Sequence, residues 1–237
     1  MQQKKWLDRG ACPSCGSSDA NVNHTAGYSW CFSCQTRFGE EVRKDLQFYQ
    51  EKILELPKQE SKIMATVGEW GEISERKISH ETAKKFNTKI KRNGNIITHH
   101  LYGYYNNKDE HVGNKIRQTK DKRMWVEGEL SNAVLFGQNI FTQKAKYITI
   151  CEGEIDAMSA YELMGSKWPS VSIKTGAAGA LRDCKEAFDY LDMYDNVVLC
   201  FDMDKQGQEA AEKVAQLFSP NKCKIMRMEH KDANEYL

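Results

Sequence analysis

The sequence predicts an α/β protein with a parallel sheet flanked by helices, a mixed α+β subdomain ahead of that sheet, and a small β module at the N-terminus. Three observations support this prediction. Short apolar segments alternate with helical patterns after residue 145, two strand-like segments precede them, and four cysteines lie within residues 11–39. Parallel strands need a crossover between them, usually a helix, so the alternation after residue 145 predicts a parallel sheet.

The first predicted elements after the cysteine-rich module lie between residues 76 and 118. The segment RKISHETAKKF predicts a short helix capped by Ser79. The segment IITHHLYGYYNN predicts a strand that reaches a turn at Asn106–Asn107, and HVGNKIRQ predicts a second strand.

Four strands and three helices are predicted after residue 145. The first helix, 154–164, is expected to end at Gly165, because glycine readily adopts the left-handed conformation that follows a helix. A second helix, 181–194, repeats apolar residues on one face at helical spacing. The predicted strands are 146–151, 170–174, 196–201 and 223–228, and the third helix is 207–218.

The pattern predicts two domains joined by a tether. The intervening residues 43–62 are charged and contain Pro57, which is typical of a linker. The predicted division is a β module in 1–42, a linker in 43–62, and a larger domain in 63–237, made of subdomains 63–145 and 146–237.

Composition indicates a protein of the cell interior. Of the 237 residues, 40% are hydrophobic and 28% charged, and no apolar run approaches the length of about 18 that a membrane span requires. The start MQQKKWLDRG has no apolar region typical of a secretory signal. The eight cysteines are therefore expected to be metal ligands or buried thiols rather than disulfides.

A net charge of +1 conceals two basic segments. Residues 84–92 contain five basic side chains and no acid, and residues 114–123 contain five against Asp121. Such segments favour phosphate binding. A solvated strand face is the alternative interpretation of the second segment.

The cysteine spacing predicts a zinc site. Two C-x₂-C pairs separated by fifteen residues match the pattern of a tetrahedral zinc site, and a segment with so little core needs such a cross-link to fold. Two disulfides are the alternative. The predicted ligands of one structural Zn²⁺ are Cys12, Cys15, Cys31 and Cys34.

Tyr28, Trp30 and Phe32 alternate on the approach to the second cysteine pair, so they are expected to share one face of a strand. They could stack on unpaired bases. Packing within the small β module explains them equally well.

Acidic side chains follow two of the predicted strands. Glu152, Glu154 and Asp156 come directly after strand 146–151, where the C-terminal edge of a parallel sheet binds ligands. Helix capping is the alternative role, and it suits Asp156 better than Glu152. Asp202 and Asp204 follow strand 196–201, and their spacing of two predicts carboxylates that point the same way.

Two like charges at a strand end favour a bound cation. Oxygen ligands without a histidine or cysteine pattern favour Mg²⁺ or Mn²⁺, with one or two ions expected. Asp232 is a candidate for a further ligand, and an ordinary loop acid is the alternative.

A strand-end glutamate followed two βα units later by Asp-x-Asp resembles the Toprim catalytic domain of primases, topoisomerases and certain nucleases. The resemblance implies metal-dependent phosphoryl transfer, with Glu152 as general base or metal partner and Asp202 and Asp204 as Mg²⁺ ligands. Glu154 and Asp156 match the extended E-G-E-x-D form of phage primases and are given a supporting role.

Three neighbouring features narrow the resemblance to the primase half of bifunctional phage primase-helicases, over nearly all of the chain. They are the zinc ribbon ahead of the core, the basic segment just upstream of it, and the ending Lys231-Asp232-Ala233-Asn234-Glu235. In such primases the basic segment binds nucleotide and template. The residues to which this role is carried over are Lys115, Arg117, Lys120 and Lys122, with Lys115 and Lys122 assigned to catalysis and Tyr28 and Trp30 to the template.

The resemblance implies a DNA primase, a nucleotidyltransferase that makes short RNA primers from ribonucleoside triphosphates on single-stranded DNA. It also implies a replicative helicase, fused C-terminally or separate, a DNA polymerase that receives the primer, and the cytoplasm of a bacterial host. No G-x-x-x-x-G-K-[ST] motif occurs, so no helicase motor is expected in this chain.

Two alternatives remain. One is a Toprim nuclease, and the other is a zinc-ribbon single-stranded DNA-binding module whose acids are structural. A topoisomerase is disfavoured because it would need a further domain with a nucleophilic tyrosine.

Overall fold

The computed structural model describes residues 6–18, 20–24, 28–34, 36–39 and 66–237, with only the backbone for 6–8 and 24. The chain divides into two compact units, Met1–Glu60 and Ser61–Leu237. The domain boundaries at 42 and 62 stay predictions, and the predicted linker 43–62 lies outside the described residues.

The first unit is a small antiparallel sheet with the strand order β1-β2-β3-β4. Its described part buries few apolar side chains, namely Val22 and the two cysteines Cys12 and Cys31. A described core this small is typical of modules that a bound metal stabilises. The strands are β1 (Trp6–Gly10), β2 (Asn21–His24), β3 (Ser29–Cys31) and β4 (Arg37–Phe38).

The second unit begins with a short helix and an antiparallel sheet. Helix α1 (His80–Lys85) starts after Ser79, whose hydroxyl accepts a hydrogen bond of 3.2 Å from the Thr82 N–H, as the sequence predicted. The sheet has the order β5-β6-β7-β8. Its strands are β5 (Thr88–Asn93), β6 (Ile96–Tyr105), β7 (His111–Gln118) and β8 (Met124–Gly128).

A parallel sheet with the order β10-β9-β11-β12 follows, and it confirms the predicted α/β fold class. Its strands are β9 (Tyr147–Cys151), β10 (Ser170–Ser172), β11 (Asn196–Cys200) and β12 (Cys223–Ile225). The helices of this part are α2 (Glu154–Leu163), α3 (Ala180–Glu186), α4 (Phe188–Asp192), α5 (Lys205–Ala215) and α6 (Ala233–Tyr236).

The end of α2 agrees with the sequence, whereas the predicted helix 181–194 does not. Gly165 has a φ of 64°, and its N–H and that of Ser166 bond to the carbonyls of Glu162 and Tyr161, which closes the helix. The predicted helix is two helices, because Ala187 departs from helical backbone at φ −97° and ψ 13°. The turn allows Phe188 to stack on Phe218, with ring centroids 5.8 Å apart.

Alternate residues of the parallel strands face two apolar clusters. Ile148 and Ile150 of β9 face a cluster built with α3, α4 and α5, whereas Cys151 faces a cluster that includes Tyr102 and Tyr104 of β6. The second cluster therefore ties the antiparallel sheet to α2 and the parallel sheet. Among the described residues, no helix combines the length and apolar character needed to cross a bilayer.

Candidate active site and cysteine cluster

The four cysteines of the first unit converge as the sequence predicted. Their Sγ atoms all lie within 4.8 Å of one another, with 3.6 Å between Cys12 and Cys34 and 3.7 Å between Cys15 and Cys31. A tetrahedral zinc with Zn–S bonds of about 2.3 Å separates its sulfurs by about 3.8 Å. The distances therefore fit one metal ion, and they are too long for the two disulfides of the alternative interpretation.

The environment of Cys34 favours the thiolate form that a metal requires. A hydrogen bond with the Thr36 hydroxyl, together with contacts with the other three thiols, lowers the pKa of Cys34 to about 6. The Ser14 N–H also points at Cys12 Sγ, at 3.4 Å. Hydrogen bonds of this kind orient ligand side chains around a metal.

The three aromatic residues that were predicted to share one face of a strand differ in exposure. The Arg37 guanidinium lies 4.0 Å from the centre of the Tyr28 ring, and Trp30 is half-buried opposite Arg37 in the sheet. Phe32 is 60% exposed. The contact with Arg37 is a packing interaction of Tyr28, and base stacking stays a prediction for both Tyr28 and Trp30.

The acidic residues of the second unit meet at one edge of the parallel sheet. Strands β9 and β11 are neighbours with Cys151 opposite Cys200, so the residues after them emerge together. Residues of the segments that follow both strands line a cavity of about 390 Å³. The residues that line it include Tyr102, Lys115, Arg117, Met124, Glu152, Glu154, Asp156, Lys174, Thr175, Gly176 and Asp202.

Glu152 is half-buried in this cavity, and only one of its two carboxylate oxygens has a hydrogen-bond partner among the described residues. Its Oε1 accepts a hydrogen bond of 3.2 Å from the Ala177 N–H, while its Oε2 is buried and has no hydrogen-bond partner among the described residues. Burial raises the pKa of Glu152, and the charge of Asp202 raises it further. A buried carboxylate oxygen without a partner is the kind of atom that a cation would stabilise.

The structure corrects the expected geometry of Asp202 and Asp204. Strand β11 ends at Cys200, so the two carboxylates are not alternate residues of a strand. Asp202 lies 3.4 Å from Lys231 Nζ, and burial raises the pKa of Asp202 although Lys231 opposes this. Asp204 instead caps α5, with its carboxylate accepting 2.8 Å from the Gly207 N–H.

Asp232 caps α6 in the same way, accepting 3.0 Å from the Glu235 N–H. In the part of the chain that the structure describes, only the four cysteines form a compact cluster of three or more possible ligands. The assignment of Asp204 and Asp232 as ligands therefore stays a prediction, and neither residue lines the cavity.

Glu154 and Asp156, at the start of α2, have separate partners. Glu154 Oε1 accepts from the Tyr104 hydroxyl and from Lys115 Nζ, each at 2.6 Å. Burial, with the charges of Asp232 and Asp202, raises the pKa of Asp156 to about 7. The Asn234 N–H lies 3.3 Å from Asp156 Oδ1 and connects it to α6.

The four predicted basic residues separate into two pairs. Lys115 and Arg117 lie on the cavity side of β7, and Lys115 Nζ also donates 3.0 Å to the carbonyl of Lys174. Lys120 and Lys122 are exposed in the turn between β7 and β8 and do not line the cavity. Lys122 has a φ of 58°, because the tight turn requires a left-handed residue there.

Sequence reasoning missed several residues of this site. Lys174 and Thr175 line the cavity, and Tyr104 anchors Glu154 from the antiparallel sheet. The small residues of 175–180 after a strand were a signal for a loop that approaches a ligand. No sequence pattern indicated Tyr104, because its contact spans fifty residues.

Comparison with known proteins gives one consistent result. A family model described as Toprim-like matches residues 149–237. A DNA helicase/primase of Enterobacteria phage T3 is 30% identical over 234 residues, which are 97% of this chain and 41% of that protein. The chain thus spans less than half the length of that relative.

Two solved structures are similar over most of the chain. The primase fragment of the bacteriophage T7 primase-helicase protein is 29% identical with a TM-score of 0.67, covering 97% of this chain and 93% of that one. A second match is to a structure of the T7 lagging-strand DNA polymerase interacting with primase domains bound to an RNA/DNA hybrid and dTTP. It is 33% identical with a TM-score of 0.63 and covers 71% and 84% of the respective chains.

Proposed function

The chain belongs to the bacteriophage-type DNA primases, and we propose that it synthesises short RNA primers on single-stranded DNA by metal-dependent nucleotidyl transfer. The observation that carries the proposal is a single cavity with opposite charges on its walls. Its lining combines the carboxylates of Glu152, Asp156 and Asp202 with the side chains of Lys115 and Arg117. This arrangement suits a substrate that is a triphosphate held together with a divalent cation.

The residues on the acidic side fit Mg²⁺ or Mn²⁺. All the candidate donors are carboxylate oxygens, Glu152 Oε2 is buried without a partner among the described residues, and burial raises the pKa of both Glu152 and Asp202. A divalent ion held there supplies positive charge to the reacting phosphate. Asp204 and Asp232 are the further ligands we propose, each with one oxygen left beyond its helix cap.

The residues of the cavity divide the reaction between them. We assign to Glu152 the role of helping to deprotonate the attacking 3′-hydroxyl or of holding the cation. Lys115 uses two of its three donors on Glu154 and Lys174, which leaves one for a phosphate oxygen. Arg117, two residues along the same face of β7, offers a planar guanidinium to the same phosphates.

The remaining parts serve the template and the partners. The cysteine cluster holds one structural zinc, and its module reads the template and retains the short primer. The exposed Lys120 and Lys122 are proposed to contact the DNA backbone. Because the T3 relative is described as a helicase/primase and the T7 match interacts with a DNA polymerase, we propose a replicative helicase and a DNA polymerase as partners in the host cytoplasm.

The decisive experiment supplies the purified chain with ribonucleoside triphosphates, Mg²⁺ and single-stranded DNA. We expect labelled oligoribonucleotides that are absent without Mg²⁺ and absent with Glu152→Gln. Degraded DNA would favour the nuclease alternative. DNA binding with neither product would favour a binding module with structural acids.

A further inference from the structure

The turn formed by residues 174–177 makes hydrogen bonds with two side chains outside it, those of Lys115 and Glu152, which we assign to the reaction. The Lys174 carbonyl accepts 3.0 Å from Lys115 Nζ, and the Ala177 N–H donates 3.2 Å to Glu152 Oε1. Gly176 between them has a φ of 69° and lies against the same Glu152 oxygen. The position of this turn therefore helps to set where the Glu152 carboxylate lies and, together with Glu154, where the Lys115 ammonium lies.

The turn is anchored by Asp183, a residue that does not line the cavity. Oδ2 of Asp183 accepts three hydrogen bonds from the turn, from the N–H of Lys174 at 2.8 Å, the N–H of Thr175 at 3.0 Å and the hydroxyl of Thr175 at 2.9 Å. The other oxygen, Oδ1, lies 3.3 Å from Nη2 of Arg182. Asp183 is completely buried in α3, at 0% exposure.

A buried carboxylate is costly unless its oxygens are hydrogen-bonded, and charge-assisted bonds to backbone N–H groups are stronger than neutral ones. Two backbone N–H groups and one hydroxyl of the same turn donate to Asp183 here. The arrangement therefore fixes the turn more tightly than its own backbone would, since Gly176 allows many conformations.

We infer that Asp183 is a positioning residue, which sets the Glu152 carboxylate for the divalent cation and Lys115 for the phosphate through the turn 174–177. The inference rests on the proposed function for the roles of Glu152 and Lys115. It assigns no contact with substrate to Asp183 itself.

The test uses the zinc-loaded full chain with Asp183→Ala and Asp183→Asn, and Asp189→Ala as the matched control. Asp189 is an exposed acid on the next helix, α4. We expect Asp183→Ala to weaken Mn²⁺ binding, measured by electron paramagnetic resonance, by about tenfold, as for other lost outer partners of metal ligands. Amide exchange at Thr175 and Ala177 should accelerate, whereas Asp189→Ala should leave both readouts unchanged.

Asp183→Asn keeps one carbonyl oxygen as an acceptor, so we expect Mn²⁺ affinity between those of wild type and Asp183→Ala. In primer synthesis, kcat should fall more than the KM for nucleotide changes. If Asp183→Ala does not fold, Asp183→Asn decides the question, and wild-type Mn²⁺ affinity in that variant overturns the inference.

The two proposals fail separately. Wild-type Mn²⁺ affinity and unchanged exchange in a folded Asp183→Ala protein overturn the positioning role even where the chain makes primers. Weakened Mn²⁺ binding and faster exchange support it even where the wild-type chain makes none, and in that case only the proposed function is wrong.

Discussion

The four cysteines of the first unit lie between residues 12 and 34, whereas the residues of the cavity run from Tyr102 to Asp202. The cysteines converge across a single small sheet that buries few apolar side chains. The acids and bases of the cavity are brought together by two sheets and the clusters between them. One site thus depends on local spacing and on its metal, the other on a folded core.

This difference has a physical consequence. A metal that binds only the folded form contributes its binding free energy to folding, and in the first unit such binding would add to the small core that the described residues form. In the second unit the core fixes the acids in place, and their mutual repulsion is a cost that a cation relieves. Removing metal should therefore unfold one site and merely inactivate the other.

The largest expected effect is the loss of synthesis on neutralising a single acid of the proposed metal centre. Glu152→Gln, Asp202→Asn and Asp204→Asn each remove charge at nearly constant volume, so packing should persist while cation binding does not. Each should abolish nucleotide joining, measured with labelled ribonucleotides, while thermal unfolding and DNA binding stay close to wild type. Glu209→Gln, on the exposed face of α5, is the matched control.

If all three variants kept more than about a tenth of wild-type synthesis, the loss would be under about 1.4 kcal/mol and the metal centre would be elsewhere.

The next effect separates the two units. A chain without residues 1–60 keeps every cavity residue, so it should extend a supplied diribonucleotide but fail to start a primer at a specific DNA sequence. The isolated first unit added in trans should restore initiation poorly, because the tether's effective concentration, on the order of millimolar, is lost. Sequence-specific initiation by the truncated chain at the full-length rate would contradict this division.

A smaller, local effect is expected for Cys31→Ser. Zinc content measured on the purified protein should fall from one per chain to near zero, since three ligands cannot hold a structural site closed. The unfolding transition of the second unit should not move. A zinc content that is zero in wild type, or unaltered in the variant, would refute the cluster as a zinc site.

The smallest expected effect is a pH dependence of stability in the metal-free second unit. The folded-state pKa of Asp156 is raised to about 7 from an unfolded value near 3.8, so folding favours its protonated form. The contribution of this group to the free energy of unfolding is fully present below about pH 4 and is lost as pH rises through about 7. Chemical unfolding of residues 61–237 in EDTA should show that the free energy of unfolding declines as pH rises, and Mg²⁺ should oppose that decline.

Asp156→Asn should flatten that pH profile, since the amide does not ionise. A profile as steep as wild type would show that other groups, such as Glu152 and Asp202, account for the dependence.

The sequence predicted the features that depend on residues close together in the chain. The cysteine spacing, the cap at Ser79, the helix end at Gly165 and the alternation of strands and helices all find their counterparts in the structure. Each of these features is decided by neighbours a few residues apart.

Features that depend on tertiary contacts were not predicted. The break at Ala187 lies within a run of good helical spacing, and it is accompanied by the packing of Phe188 on Phe218. Lys120 and Lys122 share a charge pattern with Lys115, but a turn separates them from the cavity. Asp183 has no motif at all, because its three partners are defined only by the folded turn.

The caps at Asp204 and Asp232 have a consequence for the arrival of a cation. Each carboxylate is already held in one rotamer by the first turn of a helix, so little side-chain entropy remains to be lost on coordination. The edge of the sheet is in this sense preorganised, with the two proposed ligands ordered by folding rather than by an ion. A cation bound there would therefore oppose the fraying of α5 and α6. Occupancy of the site would make the first turn of both helices more rigid.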